Sequence, residues 1–584
     1  MSGGDLVQGI GAAVGNALSG PGRPGGLDEA LGPLQDATQT FGQGLSGPVG
    51  GQLIDLTPHL PVLPVVVPLV LAAVMLLINE RNRQLKSGIG VAVTFTLVLV
   101  SLVLLNLVGG EEGAATIVYR LGDWPAPFGI VLVVDRLSAL MLTVTSMLGA
   151  AAFLFAVSGW VIVGPRFHSL FLLLLMGLNG AFLTGDMFNL YVFFEILLAA
   201  SYGLLLHGAG RERVKAGLQY IVINLASSML FLIGVGLIYA VTGTLNMADI
   251  MLRAGSLPAG ELGLFKAGLA VLSVAFLTKA GVWPLSFWLP RAYPEAPPPV
   301  AAIFVVMTKV GVYVLLRISM LAGTLPEAGI LDFMTPWLLF GGLATLLFGI
   351  VGILSVDELP RIAAYATLIS AGTLVAAVGT SDERVMAGAL YYLIGSTLAT
   401  GAAFLLAELI ARLRDVKPTQ LVEPVFGDDY DTSLRSDFEG YEVGIAIPAG
   451  TAMLGGVFVA CALVLAGLPP LSGFVAKYAI VAGAIGDLAT TTWPMWVLAA
   501  LVIFSGLATL LALMRKGVDV FWQSGDDLPA IEVRSLEAIS IVTLIGLCVA
   551  ITVFAAPVMD YLVATSGYLA APLEYVRGVL GVPR

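Results

Sequence analysis

Four ionisable residues interrupt long apolar stretches of the sequence: Glu195, Lys279, Lys309 and Lys477. Counted at 1.5 Å per helical residue from the polar edge of each stretch, Glu195 and Lys309 lie roughly 13 Å and 15 Å deep. A lone charge in hydrocarbon costs at least about 2.5–3.5 kcal/mol, so each side chain needs a partner or a function. A buried lysine whose carboxylate partner comes and goes can take up and release a proton near neutral pH, which is the chemistry of a proton relay.

Structural roles are the alternative for the same four residues. Long side chains can snorkel to the membrane surface, and opposite charges can form static pairs that hold helices together. Depth disfavours snorkelling, because a lysine side chain reaches only part of the way to either surface. One carboxylate cannot pair statically with three amines, so the sequence favours proton transfer.

Composition indicates a membrane protein. The chain has 584 residues, of which 58% are hydrophobic and 11% charged, whereas a soluble domain has about 25% charged residues. With 28 Lys+Arg against 39 Asp+Glu, it lacks the basic excess of a nucleic-acid-binding protein. Cys461 and Cys548 lie in apolar stretches without the spacing of an iron–sulfur, haem or zinc site, so the sequence predicts no metal, no cofactor and no electron transfer.

Apolar runs of roughly 20 residues, long enough to cross a bilayer, predict about fourteen transmembrane helices. They lie near residues 60–79, 88–109, 131–160, 167–184, 187–208, 214–241, 262–289, 298–322, 332–354, 361–380, 385–411, 445–486, 491–514 and 536–557. The twelfth stretch is too long for one straight crossing, so we interpret it as one helix broken in the middle. The sequence therefore predicts an all-α polytopic membrane protein.

Two of the predicted helices contain helix-breaking residues beside a buried lysine. In the seventh helix the break follows the lysine at Gly281 and Pro284, and in the twelfth it precedes the lysine at Gly467, Pro469 and Pro470. Unwound backbone at membrane depth is tolerated where it lines a polar cavity, and paired breaks point to the transport site of an inverted-repeat transporter. Because the breaks are five helices apart, the sequence predicts two inverted five-helix repeats.

These repeats divide the chain into predicted segments. They are an N-terminal tail (1–58), helices 1–3 (59–166), a first repeat of helices 4–8 (167–322), a second repeat of helices 9–13 (323–514), and helix 14 with a C-terminal tail (515–584). The N-terminal tail is rich in Gly and Pro, and either an interfacial helix or a disordered extension fits it. The second repeat includes an acidic loop at about 412–443.

The distribution of basic residues predicts the orientation in the membrane. Alternate loops hold sixteen of them: Arg81, Arg83, Lys86, Arg166, Arg211, Arg213, Lys215, Arg291, Arg361, Arg412, Arg414, Lys417, Arg435, Arg515, Lys516 and Arg534. The opposite side holds Arg23, Arg120, Arg253, Arg384, Arg577 and Arg584. The richer side is expected to be cytoplasmic, so both termini are expected outside the cytoplasm of a cell membrane, with the acidic loop inside.

Several motifs resemble the antiporter-like subunits shared by respiratory complex I, membrane-bound hydrogenases and Mrp cation/proton antiporters. They are Asp186-Met-Phe-Asn-Leu-Tyr-Val-Phe-Phe-Glu195, Thr278-Lys279-Ala-Gly-Val-Trp-Pro-Leu, Trp288-Leu-Pro-Arg-Ala-Tyr-Pro-Glu-Ala-Pro-Pro-Pro-Val300, Thr308-Lys309-Val-Gly-Val-Tyr313 and Gly467-Leu-Pro-Pro-Leu-Ser-Gly-Phe474. Together with the fourth motif, Thr242-Gly-Thr-Leu-Asn-Met-Ala-Asp249 looks most like the D-type member of the Mrp antiporters. The resemblance covers about residues 60–557.

The resemblance implies a transporter subunit, and not an enzyme, that relays protons within a multisubunit Na+/H+ antiporter. Its implied partners are the other Mrp subunits, protons, Na+ and the lipid bilayer. It also implies that Glu195 pairs with Lys279, that Lys309 is the relay lysine of the eighth helix, and that Lys477 opens toward one side of the membrane. A proton-pumping subunit of complex I or of a hydrogenase is the alternative function, and a membrane scaffold without an ion path is a second one.

The eleventh helix departs from the family pattern. Many members carry a His or Lys in its middle, whereas this chain offers Ser396, Thr397 and Thr400. We therefore expect hydroxyl groups and water to bridge the gap between the eighth-helix and twelfth-helix lysines. His207 and Asp357 are further candidates for proton relay or entry.

Two ion pairs between near neighbours are expected to be structural. Asp135 and Arg136 are expected to pair and cap the third helix. For Asp357, an ion pair with Arg361 between helices 9 and 10 is favoured over proton entry.

Overall fold

The computed structural model describes residues 57–110, 116–323, 329–415, 449–486, 491–521 and 533–581. Nearly all of the predicted N-terminal tail and most of the acidic loop at about 412–443 lie outside these ranges. The chain is built from apolar helices, because in hydrocarbon every backbone N–H and C=O must find a partner within the protein, and a helix pairs them internally.

The first part of the described chain extends to α10 and contains a break after α8. Its helices are α1 (Leu63–Leu77), α2 (Arg83–Gly109), α3 (Arg136–Gly159), α4 (Phe167–Leu183), α5 (Met187–Leu205), α6 (Arg211–Thr242), α7 (Met247–Ala254) and α8 (Ala259–Ala280). A short helix, α9 (Leu289–Ala292), then leads into α10 (Pro298–Ala322). Single 3-10 turns lie at Thr57–His59, Leu121–Asp123 and Trp160–Ile162.

The second part of the described chain continues with nine further helices, of which α11, α12 and α13 contact α10. They are α11 (Ile330–Leu354), α12 (Leu359–Thr380), α13 (Glu383–Asp415), α14 (Ala449–Ala466), α15 (Ser472–Ile485), α16 (Trp493–Phe521), α17 (Ser535–Val553), α18 (Ala555–Ala570) and α19 (Pro572–Leu580). In the most apolar stretch of 18 residues, α10 is 100% buried and α12 and α13 are each 94% buried. These three helices therefore form the centre of the bundle.

The prediction of an all-α polytopic fold is confirmed. Among the described residues, eleven helices are long and apolar enough to cross a bilayer, and α1, α4, α14 and α15 are shorter apolar helices. Each of the fourteen predicted stretches contains a described helix, and α14 and α15 share the twelfth. The number of crossings and the inverted repeats stay predictions.

A β-hairpin was not predicted from the sequence. β1 (Thr116–Arg120) pairs antiparallel with β2 (Val131–Asp135), with Thr116 opposite Asp135. The prediction that the third helix begins at residue 131 is therefore wrong, because the valine-rich run at 131–134 forms a buried strand. The helix begins one residue after Asp135, whose carboxylate accepts a hydrogen bond from the Ser138 amide in a capping box.

The loops gather at two opposite ends of the bundle. We call the end with β1, β2, α7 and α19 the hairpin end; there, isolated bridges join Leu132 to Thr184 and Asp186 to Asn246. At the other end, the basic end, Arg213 donates to the Glu295 carbonyl and Arg412 pairs with Glu537.

The two predicted ion pairs between near neighbours are wrong. Asp135 pairs with Arg317 of α10, while the guanidinium of Arg136 lies over the ring of Tyr561, because adjacent helical residues point in different directions. Asp357 likewise pairs with Arg515 of α16 at 2.9 Å, and Arg361 pairs one helical turn back with Glu358 at 3.0 Å. The capping role predicted for Asp135 is confirmed.

Candidate functional site

Glu195 lies in the middle of α5. The helix begins at Met187 because the Asp186 carboxylate accepts a hydrogen bond from the Asn189 amide at 2.8 Å. The side chain of Glu195 is half-buried, and its Oε1 atom is buried with no hydrogen-bond partner among the described residues. A carboxylate oxygen in this state is costly to maintain, so it can accept a hydrogen bond from a water molecule or an ammonium group.

Lys279 is held in the last turn of α8, next to the helix break. The helix ends because Gly281 adopts a left-handed conformation with φ of 72°, which glycine accommodates without strain. Gly311 allows α10 to approach closely here, since a Cβ atom at this position would lie 2.7 Å from the Ala280 amide nitrogen. Lys279 is therefore confined between α8, α10 and their neighbours, and only 7% of it is exposed.

The ammonium of Lys279 faces an aromatic wall. Its Nζ atom lies 5.4 Å from the centroid of the Phe194 ring, which packs against Phe231 and Phe276. A narrow cavity beside it is also lined by Ser227 and Ser228. A ring face attracts a cation by about 2 kcal/mol when the pair is desolvated, so Phe194 stabilises the ammonium where it stands.

Glu195 and Lys279 are near each other without direct contact. Among the described residues, no ion pair with an N···O distance within 4.0 Å joins them, although the Glu195 carboxylate is close enough to act electrostatically on the Lys279 ammonium. Phe194 precedes Glu195 on the same helix and supplies the ring that contacts the amine.

Lys309 is completely buried at the centre of the bundle. Its exposed fraction is 0%, and its Nζ atom donates a 2.7 Å hydrogen bond to the Ser370 hydroxyl of α12. Ser370 Oγ lies 2.9 Å from Ser396 Oγ of α13, within hydrogen-bonding distance. A line of polar groups thus leads from α10 through α12 to α13.

A small cavity continues this line toward the second broken helix. Its lining includes Tyr392, Ser396, Gly473 and Thr509, and its volume is about 10 Å3. This volume is about the minimum for one water molecule. The cavity therefore has room for one water between the hydroxyl of Ser396 and the segment around Lys477.

Lys477 lies in α15 just after the break. Its Nζ atom donates to the Ala466 carbonyl at 3.1 Å and to the Ser505 hydroxyl at 3.3 Å. Ala466 is the last residue of α14, so its carbonyl belongs to the group that a helix end leaves without an intrahelical partner. The break thus supplies an acceptor for a buried ammonium.

Glycines make the space that the Lys477 side chain occupies. Gly467 has φ of 78°, and a Cβ atom there would lie 2.6 Å from Lys477 Cδ. A Cβ atom at Gly473 would collide with the Val464 carbonyl, and one at Gly506 would collide with the Ala466 carbonyl. Pro469 and Pro470 lie in the irregular segment between α14 and α15, as Pro284 does between α8 and α9.

The other candidate residues are distributed around this line. Thr397 and Thr400 are completely buried in α13, and their hydroxyl oxygens have no partner among the described residues, which ordered water would supply. His207 lies at the basic end, where its Nε2–H donates to the Trp160 carbonyl at 3.0 Å. Asp357 is exposed and paired with Arg515, away from the central line.

Sequence reasoning missed several residues of the site. Ser370, Ser505 and Phe194 contact the three buried amines, but a serine or phenylalanine in an apolar helix carries no signal of its own. Arg317 was also missed, although a charged residue eight positions after Lys309 in the same apolar helix could have been noticed.

The multi-pass bundle, the two broken helices and the buried amines together define an antiporter-like membrane protein. The family model described as "NADH:quinone oxidoreductase/Mrp antiporter, TM" matches residues 184–425. The chain is 49% identical over 542 residues to the probable K(+)/H(+) antiporter D subunit of Rhizobium meliloti (strain 1021), an alignment that covers 91% of this chain and 99% of that protein. It is 32% identical over 531 residues to the Na(+)/H(+) antiporter D subunit of Alkalihalophilus pseudofirmus, with 89% and 99% coverage.

Structural comparison agrees with the sequence comparison. A chain of the Mrp complex from Dietzia sp. DQ12-45-1b superposes with a TM-score of 0.74 at 26% identity, covering 90% of this chain and 100% of that chain. The chain therefore belongs to the D-subunit family of Mrp-type cation/proton antiporters. The resemblance drawn from its motifs is confirmed.

Proposed function

We propose that this chain is the proton-translocating subunit of a multisubunit monovalent cation/proton antiporter. The observation that carries the proposal is the polar line from Lys309 through Ser370 and Ser396 to a cavity lined by Ala476, the residue before Lys477. Hydroxyl groups and one water molecule can pass a proton along such a line, because each group both donates and accepts hydrogen bonds.

In the proposed cycle, an arriving proton binds the Lys279 amine. The ammonium that forms is attracted to the Glu195 carboxylate and moves away from the Phe194 ring. The change in charge drives a proton onward from Lys309 through the serine hydroxyls to Lys477. Moving one charge against 100 mV requires about 2.3 kcal/mol. An ion pair that forms and breaks in a poorly solvated site can supply that amount, since one pKa unit corresponds to about 1.4 kcal/mol.

The test uses the whole complex reconstituted in lipid vesicles. Glu195→Ala and Lys279→Ala should each abolish the cation-dependent dissipation of an imposed pH gradient. Lys266→Ala is the matched control, because Lys266 belongs to the same helix but lies near its other end. Retained transport in an assembled Glu195→Ala or Lys279→Ala complex would refute the proposed relay.

The transported cation is K+ or Na+. The motif resemblance implies Na+, whereas the relative at 49% identity is named for K+/H+ exchange and the one at 32% for Na+/H+ exchange. The same vesicles should therefore be tested with each cation separately, in the unmodified complex and with Lys477→Ala. Loss of exchange in the variant with the cation that the unmodified complex transports supports the role of Lys477.

The same proposal includes the orientation and the repeats. The basic end carries the loops richest in Lys and Arg, so it is assigned to the cytoplasm of the cell, and both termini to the outside. Residues 167–322 and 323–514 are assigned as inverted repeats, each with one broken helix. Reaction of a single cysteine placed at the exposed Lys215 or Phe128 with an impermeant reagent in intact cells would test the orientation.

A proton-pumping subunit of complex I or of a hydrogenase is the less favoured function. Antiporter relatives of the D type align with this chain over about nine-tenths of its length at up to 49% identity. Proton–cation exchange by the purified complex without an electron donor would support the antiporter, and transport that required an electron donor would support the pump.

A further inference from the structure

A buried ion pair lies on the same helix as Lys309, toward the hairpin end. Arg317 of α10 donates to both oxygens of Asp135, at 2.5 Å and 3.1 Å, and the two residues are 3% and 0% exposed. Lys309 and Arg317 are eight residues apart, so their Cα atoms are about 12 Å apart along α10. Eight residues are about 2.2 turns of helix, so the two side chains leave α10 in directions about 80° apart.

Aromatic residues enclose the pair. The guanidinium of Arg317 lies 5.3 Å from the Tyr313 ring centroid and 4.9 Å from that of Tyr575 in α19. Its Nη2 atom also donates to the Tyr313 hydroxyl at 2.9 Å, and that hydroxyl donates to the Phe182 carbonyl at 2.7 Å. The charge of Arg317 is therefore shielded from solvent, and Asp135 is the group that neutralises it.

The other ionisable groups around the pair cannot neutralise Arg317. They are tyrosines, which ordinarily ionise only near pH 10, and Arg136, which is itself positively charged. Tyr313, Tyr561, Tyr568 and Tyr575 surround the pair, and Arg136 lies over Tyr561. Ionisable residues on the helices packed against α10 include Glu195 of α5, Lys279 of α8 and Tyr392 of α13. Among the described groups in contact with Arg317, Asp135 alone is acidic.

We propose that Asp135 is a positioning residue of proton transfer, whose carboxylate cancels the charge of Arg317 so that this charge does not oppose protonation of Lys309. The inference rests on the proposed function, in which Lys309 takes up and releases a proton. If the charges are separated by about the Cα spacing of 12 Å, in a medium of effective dielectric constant about 20, an uncompensated Arg317 would change the pH at which Lys309 is half-protonated by about one unit.

The test measures the pH at which transport by the reconstituted complex is half-maximal. Asp135→Asn keeps the helix cap, because asparagine also caps helices well, but leaves Arg317 uncompensated. It should lower the half-maximal pH by about one unit. Arg317→Met leaves the Asp135 carboxylate without its partner and should raise the half-maximal pH by a similar amount. The double variant Asp135→Asn/Arg317→Met should return close to the unmodified value.

Opposite shifts that cancel in the double variant cannot arise from a loss of packing alone, so they would support the proposal. Unchanged half-maximal pH values in assembled variants would overturn it. Failure of the single variants to assemble would overturn it as well, in favour of a purely structural ion pair. Full transport by Lys309→Ala would instead refute the proposed function itself, so the two failures are distinguishable.

Discussion

The ammonium of Lys309 and the hydroxyl of Ser370 form a 2.7 Å hydrogen bond between α10 and α12, at the most buried part of the bundle. The Ser370 hydroxyl in turn lies 2.9 Å from a second hydroxyl, that of Ser396 in α13. A charge placed in the apolar centre thus has a polar exit toward α13, where a chain of apolar side chains would have blocked it.

Ser370→Ala should slow transport about tenfold, because a hydrogen bond to a charged group contributes about 1.5–3 kcal/mol and the polar line is interrupted at its first step. Initial rates of gradient dissipation in vesicles would measure it. Thr367→Val is the matched control, since the Thr367 hydroxyl lies in the same helix and, among the described residues, bonds only to the Ala363 carbonyl one turn back in that helix. Equal rates for Ser370→Ala and Thr367→Val would exclude Ser370 from the path.

The sequence predicted the depth of the buried charges but not their contacts. Counting residues along apolar stretches correctly locates Lys309 well inside a helix, since helical rise is constant. The partner Ser370 comes from a helix 61 residues later, and only three-dimensional packing selects it among many serines. Asp135 shows the same limit, because the sequence favours its neighbour Arg136 as the partner, whereas the partner in the structure, Arg317, lies 182 residues away.

His207 should make the stability of the complex depend on pH. This residue follows the end of α5, and burial lowers the pKa of its imidazole, with a smaller contribution from the nearby Arg213 charge against the opposing effect of the bond to Trp160. A group with a lowered pKa in the folded state contributes stability above its ordinary value of 6.5, and this contribution is lost as the pH falls through the folded value.

Melting temperatures of the purified complex between pH 7.5 and 5.5 would measure the effect. The unmodified complex should lose stability toward the acidic end, and His207→Gln should lose less over the same range because it does not titrate. A pH dependence identical in the two proteins would show that other groups are responsible. Transport by His207→Gln would show separately whether this residue is also a proton entry.

Phe194→Leu should remove the cation–π contact with the Lys279 ammonium, whose Nζ atom lies 5.4 Å from the ring centroid. Leucine keeps the apolar surface but lacks the ring face, which attracts a desolvated cation by about 2 kcal/mol, so transport should fall about tenfold. Phe188→Leu is the control, because Phe188 belongs to the same helix and is 50% exposed. Similar rates in the two variants would show that the ring does not position Lys279.

Gly506→Ala in α16 should disturb the contact between Lys477 and the break between α14 and α15 without removing any ionisable group. A methyl group at this position would meet the Ala466 carbonyl and lie 3.1 Å from Lys477 Nζ, so it displaces the acceptor of the ammonium, the ammonium itself, or both. Transport should fall at least tenfold while the complex still assembles.

Gly456→Ala in α14 is the matched control, since its added methyl meets nothing within 4 Å. Because both substitutions favour helix formation equally, a difference in rate isolates the crowding at Lys477, and equal rates would mean that the contact between Lys477 and Ala466 is dispensable for transport.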